Sequence, residues 1–458
     1  MLFLPSDDAL KYYYDPVSFK SQKGRILHLY YRNASFPINY NMYAYNNSTG
    51  EIGQLYNLER MTNGEITNRL KDILESHTIV LDGLKEIDSD VDEYYLTKNG
   101  SGVKVTRQPD QNGVNRVVKV QGGFQLENEE RGLEGSIGST NKDAYTQIQG
   151  MQQNKVTDEQ TMSNGSTYIL DSPIIPASRS VYSTLTNDGQ FDNEYYNAFY
   201  DLCEVNEDIV RACGLVDERR LTASQQRAEL KKYQIFVSDN GPDFNVQFFN
   251  NYNYTIFVPT DAAIQNAIAQ GLPTWEEIEA DYANCERKGE FDENGDPETN
   301  PDALKYAEDS IRLQTKITYL INFVRYHFAD NSVFVDQSTF PSTDYVTASY
   351  DNVKGLFCKI NIQRPSAGVL QVQDNNGASS PWITATGKVN VMVRDVSCSS
   401  TPAGKNTMNG ITIDGSSFAV IHQIPGVLNH TELTGGRYDS TWATPSAAKK
   451  YLKRFAIH

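Results

Sequence analysis

Residues 252–264 read Tyr252-Asn253-Tyr254-Thr255-Ile256-Phe257-Val258-Pro259-Thr260-Asp261-Ala262-Ala263-Ile264. Tyr254–Val258 is a short apolar strand. Pro259 ends it, since proline has no amide for a continuing ladder. Thr260 or Asp261 can then cap a helix running from Ala262 to Ala269. The first ten residues repeat this core. Met1-Leu2-Phe3-Leu4-Pro5-Ser6-Asp7-Asp8-Ala9-Leu10 aligns with Thr255–Ile264 without a gap, so Phe3, Pro5, Asp7 and Ala9 fall on Phe257, Pro259, Asp261 and Ala263. By the same logic a helix starts at Asp7 and runs through Ala9–Tyr14. It stops near Asp15-Pro16, because the residue before proline is pushed out of helical geometry. A block that recurs half a chain apart predicts two copies of one domain.

Two further landmarks recur in the same order. Ile73-Leu74-Glu75-Ser76-His77 resembles Phe323-Val324-Arg325-Tyr326-His327, and Asn164–Pro173 resembles Gly415–Pro425. Pro5 to His77 is 72 positions and Pro259 to His327 is 68; His77 to Asp171 is 94 and His327 to His422 is 95. The unit is far too long for a solenoid repeat.

Helical spacing is found in Arg179–Leu185, Asn193–Cys213, Arg219–Tyr233 and Asp302–Phe328. In the last, Leu313, Ile317, Leu320, Ile321 and Val324 recur at three and four. Asn300 and Pro301 fit its cap and first position. After each central histidine the pattern changes to strands. Glu93–Leu96, Gly102–Thr106, Arg116–Val120 and Thr167–Leu170 alternate in the first copy, with Asn112-Gly113 as a hairpin turn. Lys359–Gln363, Val369–Val372, Lys388–Val393 and Phe418–Ile421 do so in the second. Each copy therefore reads as helices leading into a mostly antiparallel sheet, an α+β fold. Gly122–Thr161 reads as a long polar loop, Glu290–Pro301 as an acidic loop and Thr444–Phe455 as a basic helix.

The three landmarks together resemble the fasciclin domain. That family carries Thr-x-Phe-x-Pro-x-Asp-x-Ala, a central Tyr-His, and an Asn-Gly before an apolar last strand. The second copy has the first motif at Thr255–Ala263 and Tyr326-His327 at the centre, with His422 where an acidic residue is usual. The first copy keeps Phe-x-Pro-x-Asp-x-Ala and ends in Asp171, but has Ser76 for the central tyrosine. The resemblance implies two tandem fasciclin-like domains, each a helical segment packed on a mostly antiparallel β-sheet or wedge; a bacterial cell-surface type is expected from the Asn/Tyr-rich, disulfide-poor sequence with its long insertions. The first spans 1–178, with its N-terminal helices missing and long insertions. The second spans 179–435, and a tail covers 436–458. It also implies adhesion, with Asp261, Tyr326 and His327 as contact residues and Asp7 and His77 as their first-copy counterparts. Each has a structural reading beside it: the aspartates as helix starts, the histidines as buried rings bonded to backbone.

Composition narrows the function classes. At 458 residues each half can bury a core. Lys plus Arg is 41 against 58 Asp plus Glu, a net charge of −17. No basic stripe is found, so nucleic acid is not an expected partner. Tyrosine is plentiful, 28 residues against 19 Phe. It suits either pleated surfaces or recognition, because it gives rigid amphipathic area. Five cysteines without a Cys-x-x-Cys are too scattered for a disulfide framework or a zinc site. Cys203 and Cys213 could pair only if the helix between them breaks, and free buried thiols are expected. No run of 18 apolar residues spans a membrane, and there is no signal peptide.

No catalytic constellation stands out: no Gly-x-Ser-x-Gly, no phosphate loop, no His-Glu-x-x-His. Gly132, Gly135 and Gly138 have the wrong spacing for a dinucleotide site. His422 and His430, eight apart, are a poor metal pair. Asp292–Asp296 resembles the opening of a calcium loop, but Pro297 stands where the turn needs glycine and Ala303 where a bidentate Glu belongs.

The expectation is thus a non-enzyme without cofactor or metal. It acts outside the cell or at its surface, in adhesion to, or recognition of, an extracellular protein or polysaccharide. The first copy starts directly at its motif strand, so any export signal or outer-membrane anchor is expected upstream of Met1, and membrane contact only through it. A glycan- or nutrient-binding accessory lipoprotein, with tyrosines stacking on sugars, is the alternative. The oligomeric state is not fixed by the sequence.

Overall fold

A computed structural model describes residues 1–21, 24–34, 36–55, 61–80, 93–132, 156–162, 165–186, 196–218, 220–238, 243–249, 252–284, 301–336, 344–351, 354–375, 380–398 and 412–430. Cys285, Asn300, the acidic loop with Asp292–Asp296, Gly135, Gly138 and the 436–458 tail lie outside the described residues.

The first half runs β1 (Leu2–Pro5), α1 (Asp7–Leu10), β2 (Tyr12–Asp15), β3 (Gly24–Asn33), β4 (Phe36–Tyr45), β5 (Ile52–Leu55), α2 (Asn63–Ser76), β6 (Tyr94–Leu96), β7 (Gly102–Pro109), β8 (Asn115–Gly122), α3 (Gly123–Glu130), β9 (Val156–Met162) and β10 (Gly165–Leu170). The second half opens with four helices, α4 (Val181–Leu185), α5 (Asn197–Cys203), α6 (Glu207–Ala212) and α7 (Ala223–Lys231). There follow β11 (Phe236–Val237), β12 (Asn245–Val246), β13 (Asn253–Pro259), α8 (Asp261–Ala269), α9 (Trp275–Asn284) and α10 (Pro301–Tyr326). It closes with β14 (Phe328–Asp330), β15 (Asp344–Asp351), β16 (Leu356–Ser366), β17 (Val369–Asp374), β18 (Ile383–Thr384), β19 (Val391–Cys398) and β20 (Ile413–Ile424). The fold is α+β.

The second half builds one sheet in the order β18-β17-β16-β15-β14-β13-β20-β19. All neighbours are antiparallel except β13 and β20. The first half repeats that order in pieces. β8-β7-β6 connects through the single bridges Ile79↔Thr97 and Leu2↔Thr78 to β1-β10-β9. Residues 78 and 79 thus stand where β14 stands. β1 is parallel to β10 with Phe3 opposite Tyr168 and Pro5 opposite Leu170. β13 is parallel to β20 with Phe257 opposite His422 and Pro259 opposite Ile424. The two phenylalanines have like surroundings. Phe3 stacks on Tyr168 at 5.3 Å and Phe257 on His422 at 5.8 Å, and neither is exposed. Burying each ring contributes about 2 kcal/mol.

Side chains up to Ile175 fill the first half's cores, and those from Val181 onward fill the second's. Between them runs a seam in which Tyr94 stacks on Phe334 at 4.6 Å. Asn68 pairs both ways with the Ile413 backbone, each bond 2.9 Å. Arg394 on β19 holds Asp72 on α2 through two 2.8 Å bonds, both side chains buried.

Several expectations needed correction. The helix at Asp7 is one turn long, and Tyr12–Tyr14 form β2 because three consecutive tyrosines pack better on a pleated surface than round a helix. β2 belongs to a four-stranded sheet, β2-β3-β4-β5, which the sequence pattern did not reveal. The described part of Gly122–Thr161 contains α3 and most of β9. The helix expected over Asn193–Cys213 breaks at 204–206, where Asn206 caps α6 by accepting from the Ile209 amide. Even so, Cys203 and Cys213 form no disulfide and are buried. The strand register aligns His422 with Tyr168, not with Asp171. Spacing alone misplaced the last motif by three residues.

Candidate functional site

The strand, the proline corner and the central histidine form one unit in each half. Ser6 and Thr260 are the helix caps, and their hydroxyls accept from the Ala9 and Ala263 amides at 3.2 and 3.3 Å. Their own amides donate to the last carbonyl of the parallel strand, Leu170 or Ile424, each at 2.9 Å. The Phe3 amide donates to the His77 carbonyl at 2.8 Å, and the Phe257 amide to the His327 carbonyl at 2.9 Å. The corner is thus bonded to the helix end on one side and to the last strand on the other.

Each histidine ring completes the clamp. His77 Nδ1 bonds the Ile73 carbonyl at 2.6 Å, and His77 Nε2 accepts from the Ile174 amide at 2.8 Å. His327 Nδ1 bonds the Phe323 carbonyl at 2.9 Å, and Nε2 accepts from the Leu428 amide at 3.0 Å. A carbonyl only accepts and an amide only donates, so both rings are neutral with the proton on Nδ1. Protonating Nε2 would set two donors against each other. Together with burial, this holds both rings well below the usual imidazole range, at about 4. His422 is also lowered to about 4 by burial, with Nε2 on the Val333 carbonyl at 2.8 Å and Nδ1 accepting from the Asn390 amide at 3.3 Å.

The five sequence-predicted residues therefore occupy different environments. His77, His327 and Tyr326 are buried. The Tyr326 hydroxyl donates to the Lys359 carbonyl at 2.6 Å and accepts from the Asn375 amide at 3.0 Å. Ser76, at the same place in the first half, is too short for that reach. Its hydroxyl instead donates to the Asp72 carbonyl at 2.7 Å and accepts from Asn99 at 2.7 Å. Asp261 is half-buried, and its carboxylate accepts from the Ala198 amide at 3.2 Å, at the start of α5. Asp7 is exposed. The clamp brings each histidine against its own corner, with the aspartates on the outer side of the cap.

Other polar groups are committed to structure. Asp395 accepts from the Val181 and Val246 amides at 3.0 and 2.9 Å and from the Tyr254 hydroxyl at 3.2 Å. Burial raises its carboxyl to about 6. Among the described residues no cluster of His, Cys, Asp and Glu could hold a metal ion. Nor is any helix there long and apolar enough to cross a membrane. The sequence reading missed Arg325 and the Asp72–Arg394 pair. For Arg325 the signal was a lone cation after the apolar run Phe323-Val324. For the pair there was none, since 322 positions separate the partners.

No protein-family model matches the chain, and no curated protein matches it. Among solved structures it is similar to a FAS1 domain pair from the insect cell adhesion molecule fasciclin I. The identity is 12%, over 80% of this chain and 86% of that one, with a TM-score of 0.20. The equivalence of the two halves rests on the paired bonds above and not on this likeness.

Proposed function

We propose that the chain is a non-enzymatic recognition protein of the bacterial cell surface. In this reading two fasciclin-like domains, meeting near residue 178, adhere to an extracellular protein or polysaccharide. The observation that carries it is the duplicated corner. In both halves the histidine nitrogens are spent on backbone, which leaves no free imidazole there for proton transfer. Each corner carries a carboxylate one residue after its cap, exposed at Asp7 and half-buried at Asp261, where it also accepts from the Ala198 amide. In this reading Tyr326, His327 and His77 act by fixing the corner, and the aspartates make the contact.

The test is retention of the protein on extracellular matrix proteins and on cell-wall polysaccharides, with Asp7→Asn and Asp261→Asn variants. Neither substitution touches the clamp. Loss of retention in the double variant, with unchanged melting, is the expected result. Equal retention would remove the corner as the contact site.

A second reading, capture of a glycan, is favoured by the β3–β4 hairpin. Tyr30 is exposed, His28 lies 5.7 Å from it, and the buried Tyr12 of β2 stacks beneath His28 at 4.5 Å. Their strand partners include Asn41 and Asn39, which puts amides beside rings on one face. Aromatic faces flanked by amides suit sugar rings. Calorimetry with polysaccharides separates the readings: heat that is lost in Tyr30→Ala favours the glycan.

A further inference from the structure

The second half contains a cavity of about 580 Å³ between α10 and β15, lined by none of the corner residues. Its walls include Tyr233, Phe248, Phe249, Tyr350 and Phe357, and Arg325 reaches into it from the last turn of α10. Tyr350 and Phe357 pack edge to face at 5.1 Å at the mouth, and Phe357 is 55% exposed, a large apolar ring left facing water. Volume and lining fall in the range of small-molecule sites.

The charge on Arg325 decides the ligand class. Its guanidinium lies 5.1 Å from the centre of the Phe248 ring, and Nη2 donates to the Gln234 carbonyl at 3.2 Å. Nε is buried without any acceptor. Among the described residues no carboxylate pairs with it, whereas the neighbouring Lys232 is paired with Glu229 at 2.7 Å. Burial lowers the Arg325 side chain to about 10, which leaves it charged at neutral pH. A guanidinium in an apolar wall without a counter-ion is costly, and its planar fork matches a carboxylate in two-point geometry.

We infer that this cavity binds a small amphipathic carboxylate, its apolar body against the aromatic walls and its carboxylate on Arg325. The equivalent position in the first half is Glu75, so the site belongs to the second half alone.

The test uses the full chain and dodecanoate as probe, with dodecanol as the neutral control, read by calorimetry. Expected are saturable binding of dodecanoate and at least about tenfold weaker binding of dodecanol, since a charge-assisted pair is worth at least that factor. Arg325→Gln should remove the difference between the two probes, Arg325→Lys should keep part of it, and Thr318→Trp, which fills the wall, should abolish both. Absence of dodecanoate binding, equal affinity for the two probes, or an unchanged preference in Arg325→Gln would overturn the inference. Should Arg325→Gln fail to fold, the preference of the native chain and its loss in Thr318→Trp decide alone.

Discussion

The first and second halves hold the same histidine clamp in unlike surroundings. In the second half the helix that delivers His327 has 26 residues, and the sheet beneath it is continuous. In the first the helix that delivers His77 has 14, and the sheet is broken into pieces joined by single bridges. Among the described residues four helices precede the corner strand of the second half, while a tyrosine-rich sheet follows the corner of the first. What persists is small: a parallel strand pair, a proline corner, a capped helix and a ring bonded at both nitrogens. This set ties the corner to the helix end and to the last strand through paired backbone and ring bonds, so losing any member exposes an unsatisfied donor or acceptor. The periphery carries no such constraint.

The largest expected effect is on pH dependence. His77, His327 and His422 are neutral when buried and bind protons more tightly in the unfolded chain, so their stabilisation is complete above pH 6.5 and is lost as pH falls toward 4. Each drop from 6.5 to about 4 is worth roughly 3 kcal/mol. Asp395 acts oppositely. The folded chain holds its proton up to about pH 6, so stability falls as pH rises from 3.8 to 6, again by roughly 3 kcal/mol. The four groups together should cost roughly 6 kcal/mol between pH 6.5 and 4, measured as urea midpoints across that range. His77→Gln and His327→Gln should each flatten the slope by the same amount. A flattening in one variant only would break the equivalence of the halves.

Next in size is the seam. Asp72 lies one turn before Ser76, where the second half has Asn322 one turn before Tyr326. The carboxylate that holds Arg394 thus comes across the seam from the first half, and the equivalent position of the second half is uncharged. Asp72→Ala leaves a buried guanidinium unpaired and should cost about 3–5 kcal/mol, while Asp72→Leu combined with Arg394→Met should recover most of it. Thermal melting of the three chains checks this. If the double variant melts as low as the single one, the pair does more than neutralise charge.

The smallest effect separates the two helix ends. Tyr326→Phe strands the Lys359 carbonyl and the Asn375 amide and should cost about 1–2 kcal/mol. Ser76→Ala should cost about 1 kcal/mol, since Asn99 keeps a bond to Asp72 at 3.1 Å. Equal losses would mean that Tyr326 adds nothing beyond its counterpart.

How much of this was legible follows from the range of each interaction. The proline corner, the starts of the helices behind it and the apolar period of α10 depend on neighbours within four residues, and the sequence pattern locates them, with Thr260 one of two caps it offers. The sheet strands after each histidine are legible from alternation. Tyr12–Tyr14 misled because Asp7, Ala9 and Leu10 are sound helix signals that only the packing of the four-stranded sheet overrides. Tyr326 and His327 have the residue types of a contact site, yet their partners Lys359 and Leu428 lie 33 and 101 positions away. Nothing local tells whether a Tyr-His at a helix end points in or out. Arg325, its immediate neighbour, lines the cavity instead.

The most direct measurement is a long-range ¹⁵N–¹H correlation spectrum of the histidine ring nitrogens at pH 5.5, with His77→Gln and His327→Gln to assign the signals. The account predicts that His77 and His327 are both neutral, with the proton on Nδ1 and a bare Nε2. Protonation of either ring at that pH, or a proton on Nε2 in one but not the other, would contradict the claim that one clamp was copied into both halves.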